Sequence, residues 1–155
     1  MIRYRYAELY DCNDIFQLYY DFEMFHAKLR KERNFIFPIC ESIEFIINII
    51  TSNNYDVIVA DEDGVVIGFS YTKKLIYNGK TLSIGKCCWS NKPICKNVTR
   101  RDVVKTLILK SYTSHINIGS EIYNMNKPIQ EIYDEVGFTT LKIGTTWRSY
   151  IMFNY

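Results

Sequence analysis

The segment from residue 126 to residue 138 holds the residues whose types and spacing best suit chemistry. Tyr133 follows Asn126 by seven residues, and Gly137 and Phe138 close the pattern. A tyrosine hydroxyl can donate a proton to, or hydrogen-bond, an atom that gains negative charge during a reaction. The same residues also suit a structural role, with a helix cap at Asn126, a left-handed helix end at Gly137 and a half-buried ring at Tyr133. Both interpretations stay open on these residues alone.

A second candidate is the stretch of positive charge between residues 73 and 110. It holds ten cations and one anion, Asp102, although the net charge of the chain is only +2. The stretch suits a phosphate-bearing cofactor, a nucleic-acid backbone or an acidic protein surface, and equally the solvated faces of a sheet and a helix. Nucleic acid is the least favoured partner, because few aromatic residues stand among the cations. Those nearby are Tyr71, Tyr77 and Trp89.

Cysteine and histidine offer little for metal or thiol chemistry. The two histidines, His26 and His115, are 89 residues apart, and the five cysteines contain no C-x-x-C pair. Zinc needs several such ligands at recognisable spacing, so we predict no metal site and reduced thiols. Cys87 or Cys88 would act as a nucleophile only if the fold brought a histidine close, and a buried, inert thiol is the simpler interpretation.

The elements that position these residues follow from periodicity. Apolar residues at three- and four-residue spacing predict a first helix from about residue 13, with Asp11 and Asp14 accepting from its free N–H groups. The Asp63–Gly64 step predicts a hairpin turn, and Asn78–Gly79 predicts another. The first half of the chain is therefore expected to contain a strand, two helices and a three-stranded meander: 2–9, 13 onward, 43–50, 56–60, 65–76 and 81–90.

The second half predicts two more helices and the remaining strands. Thr99 and Asp102 form a plausible cap for a third helix, and a short apolar strand follows around residues 116–122. A fourth helix begins after Asn126 and ends at Gly137, and residues 138–153 are expected to form one or two strands. With 155 residues, 48% hydrophobic and 23% charged, the chain suits one folded domain spanning 1–155 and excludes a disordered protein.

Segment 126–138 resembles the closing motif of the GCN5-related N-acetyltransferase family, in which an asparagine precedes a helix that carries a tyrosine and ends in Gly-Phe. The predicted order of elements is similar to that family over nearly the whole chain. The resemblance implies an α+β three-layer sandwich, in which about four helices cover a mostly antiparallel mixed sheet, with acetyl-CoA between the central strands. It implies that Tyr133 is the general acid and that Asn126 lies beside the cofactor or caps the helix.

The family holds the cofactor pyrophosphate with a Q/R-x-x-G-x-G/A loop, because backbone N–H groups at a helix start attract the anion. The matching stretch here is 99–104, and it departs from the pattern, since Asp102 and Val104 stand at the glycine positions. A carboxylate repels phosphate, and a β-branched side chain hinders close approach. The resemblance assigns cofactor binding to seven residues: Thr99, Arg100, Arg101, Val103, Val104, Lys105 and Asn126.

The general base is less defined than the acid. Strand 81–90, which should run beside the thioester, carries no carboxylate. A chain of water molecules or Glu23 of the first helix could take this role.

Two functions follow from the resemblance. One is acyl transfer from acetyl-CoA to an unknown amine. The other is a catalytically silent pseudoenzyme with the same fold that acts as a structural or binding subunit, for example a virion protein in a tailed-bacteriophage particle. We expect no membrane span, because no apolar run approaches 20 residues. The absence of a signal-like N-terminus favours the cytoplasm, with association with a virus particle as the alternative.

Overall fold

The structure is a computed structural model, and it describes residues 1–31, 43–77, 80–89, 98–112, 117–123, 125–144 and 147–153. The predicted order of elements is confirmed, with a short 3-10 turn added before the first helix and two strands at the end. In chain order the elements are β1 (Ile2–Tyr6), the 3-10 turn (Leu9–Asp11), α1 (Cys12–Leu29), α2 (Ile43–Thr51), β2 (Tyr55–Glu62), β3 (Val65–Tyr77), β4 (Lys80–Trp89), α3 (Arg100–Tyr112), β5 (Asn117–Tyr123), α4 (Lys127–Val136), β6 (Thr139–Ile143) and β7 (Trp147–Phe153).

The seven strands form one sheet in the order β1-β2-β3-β4-β5-β7-β6. Four pairs at the two ends of the sheet and the β3–β4 pair are antiparallel, and only β4 and β5 run parallel. A parallel pair requires a crossover, which α3 supplies here. The sheet is therefore mixed and mostly antiparallel, as predicted.

Alternation along β2 explains why helices cover both faces of the sheet. Val57 and Val59 belong to one buried cluster with side chains of α1 and α2, whereas Ile58 and Ala60 belong to a second cluster with side chains of α3 and α4. Successive side chains of a strand point to opposite faces, so both faces of β2 are buried. Each fully buried Val or Ile contributes about 1.5–3 kcal/mol. The result is a three-layer α+β sandwich with two cores.

The β2–β3 turn forms as its sequence predicts. Asp63 and Gly64 both have positive φ, 52° and 89°, as a tight hairpin turn requires. The Gly64 amide donates to the Asp61 carboxylate at 2.8 Å, which fixes the turn. Residues 78 and 79, expected to form the next turn, lie outside the described residues, although β3 and β4 pair from Tyr77 and Lys80 onward.

The carboxylates expected to cap α1 have other partners. Asp11 occupies the N-cap position without a capping side-chain bond. It accepts from the Arg5 guanidinium at 2.7 and 2.8 Å and from the Glu8 amide. Asp14 accepts from the Val66 amide at 3.2 Å. The expectation was wrong because a nearby arginine offers a buried carboxylate stronger, charge-assisted bonds than a helix N–H does.

The residues with thiol or imidazole groups are only partly described. Cys12 is a buried, free cysteine, and its burial raises the pKa of its thiol. His26 is buried, with Nδ1 3.0 Å from the carbonyl oxygen of Phe22. Cys40, Cys95 and His115 lie outside the described residues, as do the side chains of Cys87 and Cys88. Among the helices described, none is long and apolar enough to span a membrane.

Candidate active site

The sheet is interrupted between its two central strands. β4 and β5 pair only at Ser83–Ile118 and Ile84–Gly119, whereas β3 and β4 pair along the full length of β4. Both strands continue in regular conformation beyond this point, to Trp89 and Tyr123. We call the region between 85–89 and 120–123, where these described strands no longer pair, the central gap. The sheet therefore consists of two halves, β1–β4 and β5–β7, joined at one end of this gap.

Tyr133 and Ser120 meet where the central gap begins. Ser120 is the first residue of β5 after the last paired position, Gly119. Its Oγ lies 3.0 Å from the Tyr133 hydroxyl, and either oxygen can donate. Both residues are buried, at 3% and 1% exposure, so this bond forms in a low-dielectric environment where it is electrostatically strong.

Two aromatic rings pack against the side chain of Tyr133. Its ring lies 4.6 Å from that of Phe138 and 5.5 Å from that of Tyr150, between centroids. Tyr150 stands directly opposite Ser120 across the β5–β7 ladder. The contacts therefore hold the phenol from β7 and from Phe138, the residue after the helix cap.

Both ends of α4 are well defined, but only one forms as expected. Gly137 adopts the predicted left-handed conformation, with φ of 103°, and the Phe138 amide donates to the Tyr133 carbonyl oxygen at 3.0 Å. Asn126 occupies the predicted N-cap position and is buried, yet its side chain makes no capping bond. Pro128 lies in the first turn, where it leaves fewer N–H groups to cap.

The start of α3 carries the predicted cap between Thr99 and Asp102. The Asp102 carboxylate accepts from the Thr99 amide at 3.0 Å and from its hydroxyl at 2.6 Å, and the Asp102 amide donates to Thr99 Oγ1 at 3.2 Å. The Thr99 hydroxyl and amide lower the pKa of the Asp102 carboxyl. This side chain thus places a negative charge at the helix start, where a glycine loop would leave open backbone.

The residues that follow divide between the core and the surface. Val103 and Val104 are buried in the cluster between the sheet and α3, so their side chains do not face solvent. Arg101 Nη2 lies 2.7 Å from Glu135 Oε2, and the Lys105 ammonium pairs with the same carboxylate. Lys105 and Arg101 lower the pKa of the Glu135 carboxyl. Arg100 is exposed at the first position of α3.

The sequence predicts none of three partners of these residues, which are Ser120 beside Tyr133, and Glu131 and Glu135 beside Arg101. Ser120 is a small polar residue between the apolar Ile118 and Ile122, but nothing in the sequence links it to a tyrosine 13 residues later. Glu131 and Glu135 are spaced by four, as Arg101 and Lys105 are, which is the signal of two facing helix surfaces.

Glu23, a candidate base, lies on α1, whose buried residues pack on the face of the sheet opposite to α4. Tyr133 approaches the central gap from one face, and α1 lies on the other. Glu23 and Tyr133 are therefore carried by helices on opposite faces of the sheet.

Similarity to known proteins is seen in structure only. No protein-family model and no curated protein sequence matches the chain. The PaiA N-acetyltransferase from Thermoplasma acidophilum, solved with coenzyme A, is similar with a TM-score of 0.76 at 15% identity, over 99% of each chain. NAA60 from Arabidopsis thaliana, solved with acetyl-CoA, has a TM-score of 0.73 at 16% identity, over 99% of this chain and 98% of its own.

A third similar structure is the ribosomal-protein-alanine N-acetyltransferase from Brucella melitensis, with a TM-score of 0.73 at 14% identity, over 98% of this chain and 99% of its own. Identities this low establish the fold alone. The structural similarity extends over nearly the whole chain, including all seven strands of the sheet. We conclude that this protein has the fold of the GCN5-related N-acetyltransferases.

Proposed function

We propose that the protein transfers an acetyl group from acetyl-CoA to an amine. The observation that carries this proposal is the position of the Tyr133 hydroxyl. It lies within hydrogen-bond distance of Ser120, at the end of the central gap where the pairing of β4 and β5 stops. Similar folds solved with acetyl-CoA or coenzyme A support the choice of cofactor. The acceptor amine is not specified by any described residue.

The described residues suit the thioester end of this cofactor better than its phosphates. The central gap interrupts the sheet beside a buried phenol, which suits the thioester end. α3 connects β4 to β5, so its start lies at the carboxyl ends of these parallel strands, an edge where α/β sheets commonly bind ligands. Arg100 and Arg101 bring positive charge there, while the Thr99–Asp102 cap replaces the glycine loop. Phosphates would therefore be held chiefly by side-chain cations and not by open backbone.

The protein's own contribution to the chemistry lies in Tyr133. Bound acetyl-CoA would supply a thioester whose sulfur leaves as a thiolate. Tyr133 holds a proton on its hydroxyl in a buried site, ready to be given to that sulfur. The rings of Phe138 and Tyr150 and the end of α4 fix the position of the hydroxyl. Little reorganisation is therefore needed when the proton is transferred.

Arg101 and Lys105 have a shared partner that matters for the cofactor. Both pair with Glu135, which lies two residues after Tyr133 on α4. These cations would contact a phosphate only by leaving Glu135 or by sharing it. Because exposed ion pairs are weak, such an exchange costs little.

The test is calorimetric titration with acetyl-CoA, followed by thiol release in the presence of a panel of primary amines. We expect binding at sub-millimolar concentration and thiol release that depends on the amine. Tyr133→Phe should keep binding within about twofold and lower thiol release by about 10²-fold or more, the usual contribution of an acid. No binding at millimolar acetyl-CoA would remove the proposal.

The second candidate is a silent pseudoenzyme that acts as a structural or binding subunit. The Thr99–Asp102 cap favours it, because the helix start already holds an anion of its own. A partner protein would then replace the amine acceptor. Cytoplasmic location and association with a phage particle stay predictions from the sequence. A monomer that binds acetyl-CoA and has no partner in its native source would count against this candidate.

A further inference from the structure

Ser120 contacts the hydroxyl of Tyr133. This serine belongs neither to the closing motif, 126–138, nor to the cofactor loop, 99–104. It lies on β5 with its side chain on the α3–α4 face, as does Ile122 two residues later. The Ser120 and Tyr133 oxygens are 3.0 Å apart. Because the backbone of Ser120 is paired with Tyr150 of β7, the serine hydroxyl is mounted on a rigid strand.

A buried phenol that gives away a proton leaves a phenolate with little water around it. Such a charge is costly in a low-dielectric site unless a donor faces it. A serine hydroxyl can rotate between accepting and donating. When it donates to the tyrosine oxygen, the tyrosine proton stays free to pass to sulfur, and the same hydrogen bond then stabilises the phenolate oxygen.

We propose that Ser120 is a positioning residue that aims the Tyr133 hydroxyl at the central gap and donates a hydrogen bond to the phenolate formed there. This inference rests on the proposed acyl transfer. In that reaction the amine nitrogen bonds to the acetyl carbon, the carbon–sulfur bond breaks, the Tyr133 proton passes to sulfur, and the amine loses a proton to water. Tyr133 then regains a proton from solvent, so protons and charge balance.

The first measurement needs no cofactor. In the full-length protein labelled with ¹³C at tyrosine Cζ, Tyr133→Phe assigns the signal of Tyr133. Ser120→Ala should shift that signal, and Ser120→Thr, which keeps the hydroxyl, should restore it. The matched control is Ser70→Ala, which removes another buried serine of the sheet, one whose hydroxyl bonds with Ser111 instead. It should leave the Tyr133 signal in place, and a signal unmoved by Ser120→Ala would overturn the inference.

The second measurement is a double-mutant cycle on thiol release from acetyl-CoA with the most reactive amine of the panel. Ser120→Ala should lower the rate about 10-fold in the wild-type background and have no effect in the Tyr133→Phe background, because the serine acts through the phenol. Equal losses in both backgrounds would reveal a merely structural role and overturn the inference. Loss in Tyr133→Phe with a wild-type rate in Ser120→Ala would overturn the role of Ser120 alone. If Tyr133→Phe has no effect, the proposed function fails as well.

Discussion

Asp61 is a buried carboxylate that joins the first strand to the β2–β3 turn. It is 2% exposed and accepts from Arg3, from Arg5 and from the Gly64 amide. Burial alone would raise the pKa of its carboxyl, but the bonds from Arg3, Gly64 and Arg5 outweigh that effect and hold the pKa below its ordinary value of 3.8. The ionised form is therefore favoured in the folded protein.

This pairing makes the free energy of unfolding depend on pH. A lowered pKa in the folded state contributes stability above the unfolded-state value of 3.8, which is lost as the pH falls through the folded-state value. Asp61→Asn should cost about 2–3 kcal/mol at pH 7, and the difference from wild type should narrow below about pH 4. Denaturant unfolding across pH measures both. Asp63→Asn, at an exposed position, is the control and should stay within about 0.5 kcal/mol.

Gly137 ends the helix that carries Tyr133, and its left-handed conformation is the reason a glycine suits this position. A Cβ there would meet no atom within 4 Å, so substitution strains the backbone alone. Gly137→Ala should cost about 1–2 kcal/mol, and Gly137→Asn less, since asparagine tolerates this conformation. Thermal melting should show a loss of about 2–6 °C for alanine. Equal melting temperatures for the two variants would contradict this account.

At the scale of elements, the same side chain at the start of α3 stabilises the helix and opposes the binding of an anion. Thr99 accepts from the Asp102 amide, and the Asp102 carboxylate accepts from the Thr99 amide and brings a negative charge to the site where phosphates would lie. Asp102→Asn keeps capping ability but removes the charge. We expect acetyl-CoA affinity to rise about threefold or more, because one unit of repulsion is removed.

Asp102→Gly separates the two effects at this helix start. It removes the charge and the bonds of the carboxylate to Thr99 together and leaves an open backbone, so affinity should rise at least as much as in Asp102→Asn while the melting temperature falls further. Calorimetry and thermal melting on both variants provide the comparison. Unchanged affinity in both would place the phosphates elsewhere and weaken the proposed cofactor site.

The sequence predicts these elements better than it predicts their contacts. Asn126, Pro128 and Gly137 mark the limits of α4 because caps and left-handed residues are local chemistry. The Ser120–Tyr133 bond is different, since it depends on how α4 packs on the register of β5 and β7. Likewise, Asp11 accepts from Arg5 and not from its own helix, because tertiary packing supplies a stronger donor than the local one.

At the scale of the whole molecule, two sheet halves are joined by a short parallel ladder and by the helices that cross it. α3 packs against β2, β3 and β4 on one side of the central gap and against α4 on the other. The pair of Arg101 and Lys105 with Glu135 links the same two helices at the surface. The helices thus link the two sides of the gap, and within the described residues β4 and β5 form no ladder with each other beyond Ile84 and Gly119.

This arrangement predicts where the free protein exchanges amide hydrogens. Beyond Ile84 in β4 and Gly119 in β5, the described strands form no further ladder with each other, and every second amide of each strand faces the central gap. In β3 both neighbours are present along 68–72. Peptides covering 85–89 and 120–123 should therefore exchange faster than peptides from β3, because an amide outside a ladder exchanges without the opening of a strand pair.

Binding of acetyl-CoA should slow this fast amide exchange, and only in the strands that border the central gap. Saturating cofactor should slow exchange in 85–89 and 120–123 and leave β1 and the β2–β3 turn unchanged, since these lie at the far edge of the sheet. The Tyr133→Phe protein serves as the control and should show the same protection, because the phenol acts in proton transfer and not in binding. Slow exchange at both stretches in the free protein would contradict the gap itself. Protection spread evenly over the sheet would instead indicate general stabilisation by a ligand bound elsewhere.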